Sequence, residues 1–152
     1  MGDVCGGSQT VSMVKKVMAW KNQSDLVLWN KLIQYNQLVQ ASFHQLEGLS
    51  QAQDELQWVD IGNETFEAWK TNATCPLRQS LVELRERYCT MRRLYREIGA
   101  EAGVPIEPVE QTKLADRTMA LPGVVIAAVP GGKYLTLIGS ISFPYPDYSR
   151  RP

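Results

Sequence analysis

The apolar residues of this chain fall into blocks of different period, and the clearest is Leu77, Leu81, Leu84, Tyr88, Met91, Tyr95 and Ile98. Spacings of four and three alternate along it, the mark of one helical face followed over several turns. Thr74 offers an N-terminal cap, Pro76 sits in the first turn where its missing N–H costs least, and Gly99 or Gly103 can end the helix. An earlier helix opens near Asp25, after the Asn22-Gln23-Ser24 break, with Trp29, Leu32, Ile33, Val39, Phe43 and Leu46 as its stripe. A first helix follows the glycine-rich residues 1–7, capped by Ser8 or Thr10. Val11, Val14, Val17 and Met18 share its apolar face, with Lys15 and Lys16 off it. Trp58, Phe66 and Trp69 lie in more broken sequence around Gly62, placed to pack between helices.

Beyond Gly103 the pattern changes. Pro105 and Pro108 keep the backbone extended, Glu110 to Ala120 is a run of good helix formers, and Leu121-Pro122-Gly123 stops it. Val124 to Val129 is apolar without alternation, as in a strand covered on both faces. Lys133 to Ile138 is rich in β-formers, and Pro130-Gly131-Gly132-Lys133 between the two runs makes a hairpin. From Phe143 to Pro152 the prolines, tyrosines and arginines read as a disordered tail. The expected architecture is α+β: one helix-rich domain over residues 1–142 with a small antiparallel sheet, and residues 143–152 as the tail.

Charge and composition narrow the function. Acidic and basic residues number 16 each, so no whole-chain field favours nucleic acid or a membrane surface. No apolar run approaches the roughly 20 residues that span a bilayer. Cys5, Cys75 and Cys89 have neither disulfide parity nor metal-ligand spacing, which suits a reducing, cytoplasmic compartment. His44 has Gln40 and Gly48 at helical spacing, so no carboxylate or cysteine supports it as a base or ligand. Arg85, Arg87, Arg92, Arg93 and Arg96 could bind phosphate or nucleic acid. The interleaved Glu83, Glu86 and Glu97 favour a solvated, mutually neutralising face instead. No nucleophile elbow, metal cluster or carboxylate pair stands out, which sets hydrolase and metal-enzyme readings aside.

One signal for ligand chemistry remains: a glycine-rich loop leading into a helix N-terminus, whose free N–H groups and dipole suit a phosphate. By itself it is weak, because most Ser and Thr caps only cap. Longer words add to it. Gly103-Val104-Pro105-Ile106-Glu107-Pro108, Glu110-Gln111-Thr112, Leu121-Pro122-Gly123-Val124 and Val129-Pro130-Gly131 follow Gly7-Ser8-Gln9-Thr10-Val11 and Met13-Val14-Lys15-Lys16-Val17. In this order they resemble the fungal-type phosphomevalonate kinase family, a branch of the GHMP small-molecule kinases, over residues 1 to 132 or so.

The resemblance implies a truncated GHMP kinase C-terminal domain of ferredoxin-like character. It implies a parent activity that transfers the ATP γ-phosphate to 5-phosphomevalonate in the mevalonate pathway of isoprenoid and sterol synthesis, with ATP and Mg2+ as cofactors. It also makes Ser8, Gln9, Thr10, Gly131 and Gly132 the substrate- or phosphate-binding residues, and leaves this chain with no catalytic or metal-binding residue of its own. Two departures matter. No Gly-x-Gly-x-Ser-Ser-Ala loop occurs in the chain, and the family's longer Pro-Gly-Ala-Gly-Gly run is shortened to Pro130-Gly131-Gly132 before Lys133 and Tyr134. Phosphoryl transfer depends on positioning and charge neutralisation around the phosphates, so the chain alone is expected to be inactive. It is also expected to present an apolar face where the family's N-terminal domain would pack, open to association. The alternative expectation is a non-catalytic helical interaction module.

Overall fold

The computed structural model describes residues 10–50 and 55–128. Six helices follow one another: α1 (Thr10–Gln23), α2 (Val27–Ser50), α3 (Glu55–Gly62), α4 (Phe66–Thr71), α5 (Pro76–Glu101) and α6 (Val109–Met119). The trunk is α5. Leu77, Leu81, Leu84, Tyr88, Met91 and Ile98 are buried and Tyr95 is half-buried, so the expected face is the observed one. Fully burying such a side chain contributes about 1.5–3 kcal/mol, and this face supplies much of the core. Because the face is filled from within, it is not a seam for a second chain. Cys75 rather than Thr74 is the N-cap, with Pro76 behind it, while the Thr74 hydroxyl donates to Asn72 O. At the other end Gly103 turns the chain with φ +65°, and Val104 N–H donates back to Gly99 O at 2.8 Å.

Along α5 lies α2, which buries Leu32, Val39 and Leu46 at intervals of seven and half-buries Trp29 and Phe43. Ile33, expected in the same stripe, is 44% exposed. The start of α2 falls at Val27, two residues later than Asp25, because the Asp25 carboxylate accepts the Val27 N–H at 3.1 Å. Polar contacts register the seam: Gln45 Nε2 donates to Ser80 Oγ at 2.8 Å, and Arg87 Nη1 to Ser42 Oγ at 2.7 Å. α1 meets this pair through Val17 and Trp20, with Trp20 Nε1 donating to Glu101 Oε2 at 2.9 Å. Of its expected apolar face Val17 reaches the core and the other three residues do not. Val11, Val14 and Met18 are 72%, 52% and 45% exposed.

The short helices close one end. Trp69 of α4 is fully buried and donates its indole N–H to Ile61 O at 3.0 Å, the packing role expected for that aromatic cluster. α6 begins after Pro108 and ends at Met119, as the helix-forming run and the Leu121-Pro122-Gly123 stop require.

The sheet is not borne out. Among the described residues there is no strand, and residues 124–128 run outside any ladder. The fold described is helical rather than α+β. Side chains of α5 take the carbonyls a ladder would use: Arg85 Nη1 donates to Val124 O and Tyr88 Oη to Ala127 O, each at 2.9 Å. A continuous apolar run looks the same whether it is covered by neighbouring strands or by a helix. The glycine turn at 130–132, the run Lys133 to Ile138 and the tail 143–152 lie outside the described residues.

Gly123 joins the segment after α6 to the connection between α3 and α4. It has φ +71°, donates its N–H to Glu64 O at 2.9 Å, and a Cβ there would lie 2.3 Å from Gly62 O. Gly123→Ala therefore destabilises the fold by about 2 kcal/mol or more. Gly48→Ala, inside α2 with nothing within 4 Å, stabilises it by about 0.5–1 kcal/mol. Urea midpoints of the two variants should move in opposite directions.

Candidate functional site

Of the five expected phosphate contacts, Thr10 is the first residue of α1, while Ser8, Gln9, Gly131 and Gly132 lie outside the described residues. Thr10 is thus the first residue inside this 14-residue helix rather than a cap preceding it, and the first turn of such a helix carries free N–H groups. Lys15 and Lys16 are exposed one turn further on.

The segment from Gly123 to Ala127 is held in detail. Gly123 N–H is bonded to Glu64 O, Val124 O to Arg85, and Ala127 O to Tyr88, while Val125 is buried between them. The Arg85 guanidinium also lies 4.5 Å from the centre of the Phe66 ring. Burial pushes the Tyr88 phenol well above its ordinary pKa, so it stays a donor, and burial lowers that of Arg85.

The other arginines of α5 are paired with carboxylates. Arg92 is buried, with its guanidinium forked onto Glu107, its Nη1 2.8 Å from Asp116 Oδ1, and Arg96 completing the cluster 3.2 Å from Glu107 Oε2. Burial opposes the Arg92 charge, but the hydrogen bonds to Glu107 and Asp116 outweigh it and raise the pKa. Arg78 holds Glu64 at 2.6 Å, Arg87 holds Glu83 at 3.0 Å, and Arg93 pairs with Glu97. The expected neutralising face is correct for Arg87 and Arg93 and incomplete for Arg92, which ties α5 to α6 and to the loop between them. The signal for Arg92 was its position, four residues after Tyr88 and beside Met91 on the buried face.

Elsewhere the polar groups are already engaged. An open groove lined by Trp20, Asp25, Leu28, Glu97 and Glu101 has each carboxylate bonded, to Val27 N–H, Arg93 or Trp20. His44 is exposed, 3.7 Å from Glu47. Among the described residues no group of His, Cys, Asp and Glu could hold a metal ion.

Comparison with known proteins finds several relatives. A peroxisomal phosphomevalonate kinase of Arabidopsis thaliana is 34% identical over 136 residues, 83% of this chain. Phosphomevalonate kinases of Candida albicans and Gibberella zeae are 30% and 32% identical, each over 86% of this chain. This chain is homologous to part of phosphomevalonate kinase. It spans about a quarter of the length of those relatives. No protein-family model and no solved structure matches it.

In this phosphomevalonate kinase-like segment, Glu107 of the Gly103–Pro108 word closes the buried ion cluster, and Gly123 of the Leu121–Val124 word makes the closest backbone approach. Two outcomes follow. Glu107→Gln leaves the Arg92 charge poorly compensated and costs about 3–5 kcal/mol by urea unfolding. Glu64 has its pKa lowered by the hydrogen bond from Arg78, so its folded value lies below its unfolded one. The stability it supplies is complete above the unfolded carboxylate pKa and is lost as pH falls through the lower folded value. Glu64→Gln should flatten that acid limb in melting curves recorded from pH 6 down to pH 3.

Proposed function

We propose that this chain is the part of a phosphomevalonate kinase that receives the phosphate of 5-phosphomevalonate. Ser8, Gln9 and Thr10 at the start of α1, with Gly131 and Gly132 beyond residue 128, bind it. The parent reaction moves the ATP γ-phosphate onto 5-phosphomevalonate to give 5-diphosphomevalonate. The observation that carries the reading is the match to several phosphomevalonate kinases over 83–86% of the chain. The start of α1 at Thr10 supports the placing of one half of the site, since helix N–H groups suit a phosphate.

ATP and Mg2+ enter as the co-substrate and metal of the parent enzyme. The described residues do not fit the metal: on α5 Glu83 and Glu97 pair with arginines, Glu86 with Lys70 and Glu101 with the Trp20 indole, and no group of His, Cys, Asp and Glu among the described residues could hold an ion. No step of the transfer is assigned to this segment, and the chain by itself does not turn over. Cytoplasmic placement belongs to the same proposal. The described helices include none long and apolar enough to cross a membrane, and the Arabidopsis relative is named peroxisomal.

A helical interaction module is the second reading, favoured by the exposed Val11, Val14 and Met18 of α1. One titration separates the two. With 5-phosphomevalonate added to 15N-labelled chain, amide signals of Ser8 to Thr10 and of Gly131 and Gly132 should shift. A coupled ADP-release assay should stay at baseline, far from the roughly 1–100 s⁻¹ of ordinary kinases. Silent amides together with concentration-dependent light scattering would favour the interaction module, and turnover in the kinase range would sink the claim of inactivity.

A further inference from the structure

We infer that the outward face of α1, made by Val11, Val14 and Met18, is a joint for the part of a phosphomevalonate kinase that this chain does not match; this rests on the family alone, not on the phosphate contacts. Apolar residues scattered singly over a surface need no explanation, but a row of them does. At about 100° per residue these three fall within about 60° of arc, and Val14 adjoins Val17, which packs against the core. The exposed row is therefore the continuation of a packed face, uncovered among the described residues. No other described helix has such a row. Val109 and Leu114 of α6 are exposed but about 140° apart round the helix, and Val27 and Ile33 of α2 about 120° apart.

Length and charge point to what covers it. This chain spans 27%, 27% and 23% of three of its relatives, so most of each such protein lies outside the match. Interfaces between domains of one chain bury roughly 600–1,500 Å². Three side chains supply the apolar centre of such a joint, not the whole of it. Charge sets the rim. Thr10–Gln23 carries Lys15, Lys16 and Lys21 and no acidic residue, in a chain whose acidic and basic residues balance. Lys21 lies over the Trp29 ring at 4.5 Å, while Lys15 and Lys16 are exposed. Lys15 follows Val11 by four residues and so stands beside the row. The surface that fits is apolar at its centre, with carboxylates at its edge to meet Lys15. A second copy of this chain fits poorly, because it would set the lysines of one α1 against those of the other.

The test joins the two parts. This chain replaces the 131 matching residues of the Candida albicans kinase, and a thiol is introduced by Met18→Cys, or by Val109→Cys as a control at another exposed residue. Maleimide labelling of each thiol, read by peptide mass, is compared between the isolated chain and the joined protein. Met18→Cys should label about tenfold more slowly or less when joined, since a covered thiol reacts only through local opening, and Val109→Cys should label equally in both. Adding Lys15→Glu should recover most of the lost rate, and Lys15→Arg should not. If the joined protein does not fold, this chain co-expressed with the Candida polypeptide lacking its matching residues carries the comparison. Equal labelling of Met18→Cys with and without the remainder overturns the joint. Slowing of both thiols alike reduces the effect to general shielding and overturns it too. Slowing in the isolated chain as its concentration rises makes the cover a second copy, and the inference falls. No ligand enters these measurements, so a silent phosphomevalonate titration tells against the phosphate contacts and leaves the joint standing.

Discussion

The burial of one face of α5 is the constraint from which the rest of the body takes its shape. Leu77 to Ile98 present apolar side chains on a stripe that no short helix could cover, and α2 covers it by laying Leu32, Val39 and Leu46 along the same line. An interval of seven brings each of these round to nearly the same side, because two helical turns take about seven residues. With that seam filled, α4 is left to close one end through Trp69 and α1 to lean on the other through Trp20. Neither short element could hold a fixed place alone, since isolated helices of such length are marginal in water.

Polar side chains on the flanks of α5 then do for the irregular segments what the apolar face does for the helices. Arg92 and Arg96 take up Glu107, between two prolines, and so fix the loop into α6. Arg78 takes up Glu64, whose carbonyl receives Gly123. Arg85 and Tyr88 take up the carbonyls beyond it. The arrangement answers a general demand: backbone running close to a core must have its hydrogen bonds met by something. In this chain a helix meets them, where the apolar run had suggested a neighbouring strand.

That difference shows what a sequence of this kind discloses. The α5 stripe was legible because seven positions repeat one period, and so was α6, framed by Pro108 and Leu121-Pro122-Gly123. The α1 face was only partly right: Val17 packs as expected, but Val11, Val14 and Met18 satisfy helical spacing with it and are exposed, while Trp20 packs in their place. Periodicity gives a face without saying which neighbour reaches it. Val124 to Val129 failed for a related reason, since six apolar residues carry no period that separates sheet from helix packing. A helix opening near residue 10 was legible from the glycines and from the Ser8 and Thr10 hydroxyls, though Thr10 lies inside α1 rather than before it. The bonds from Arg85 to Val124 O and from Tyr88 to Ala127 O were not, since each joins residues 39 apart in the chain.

The charge layout bears on how such a segment could meet a phosphate at all. A row of arginines on one helix looks like an anion site until each is given its partner, and five of the six arginines from Arg78 to Arg96 are spent on Glu64, Glu83, Glu97, Glu107 or Asp116. To free one for a ligand would leave a carboxylate behind, in the case of Glu107 a buried one, which costs more than an exposed phosphate contact returns. The phosphate proposed for this segment is therefore not one that these five arginines meet; backbone N–H groups at a helix start need no counter-charge and are aligned by the helix itself. Such contacts depend on where the main chain runs rather than on which side chains it carries. The chemistry proposed for the ends of this body is thereby tied to the packing of its middle.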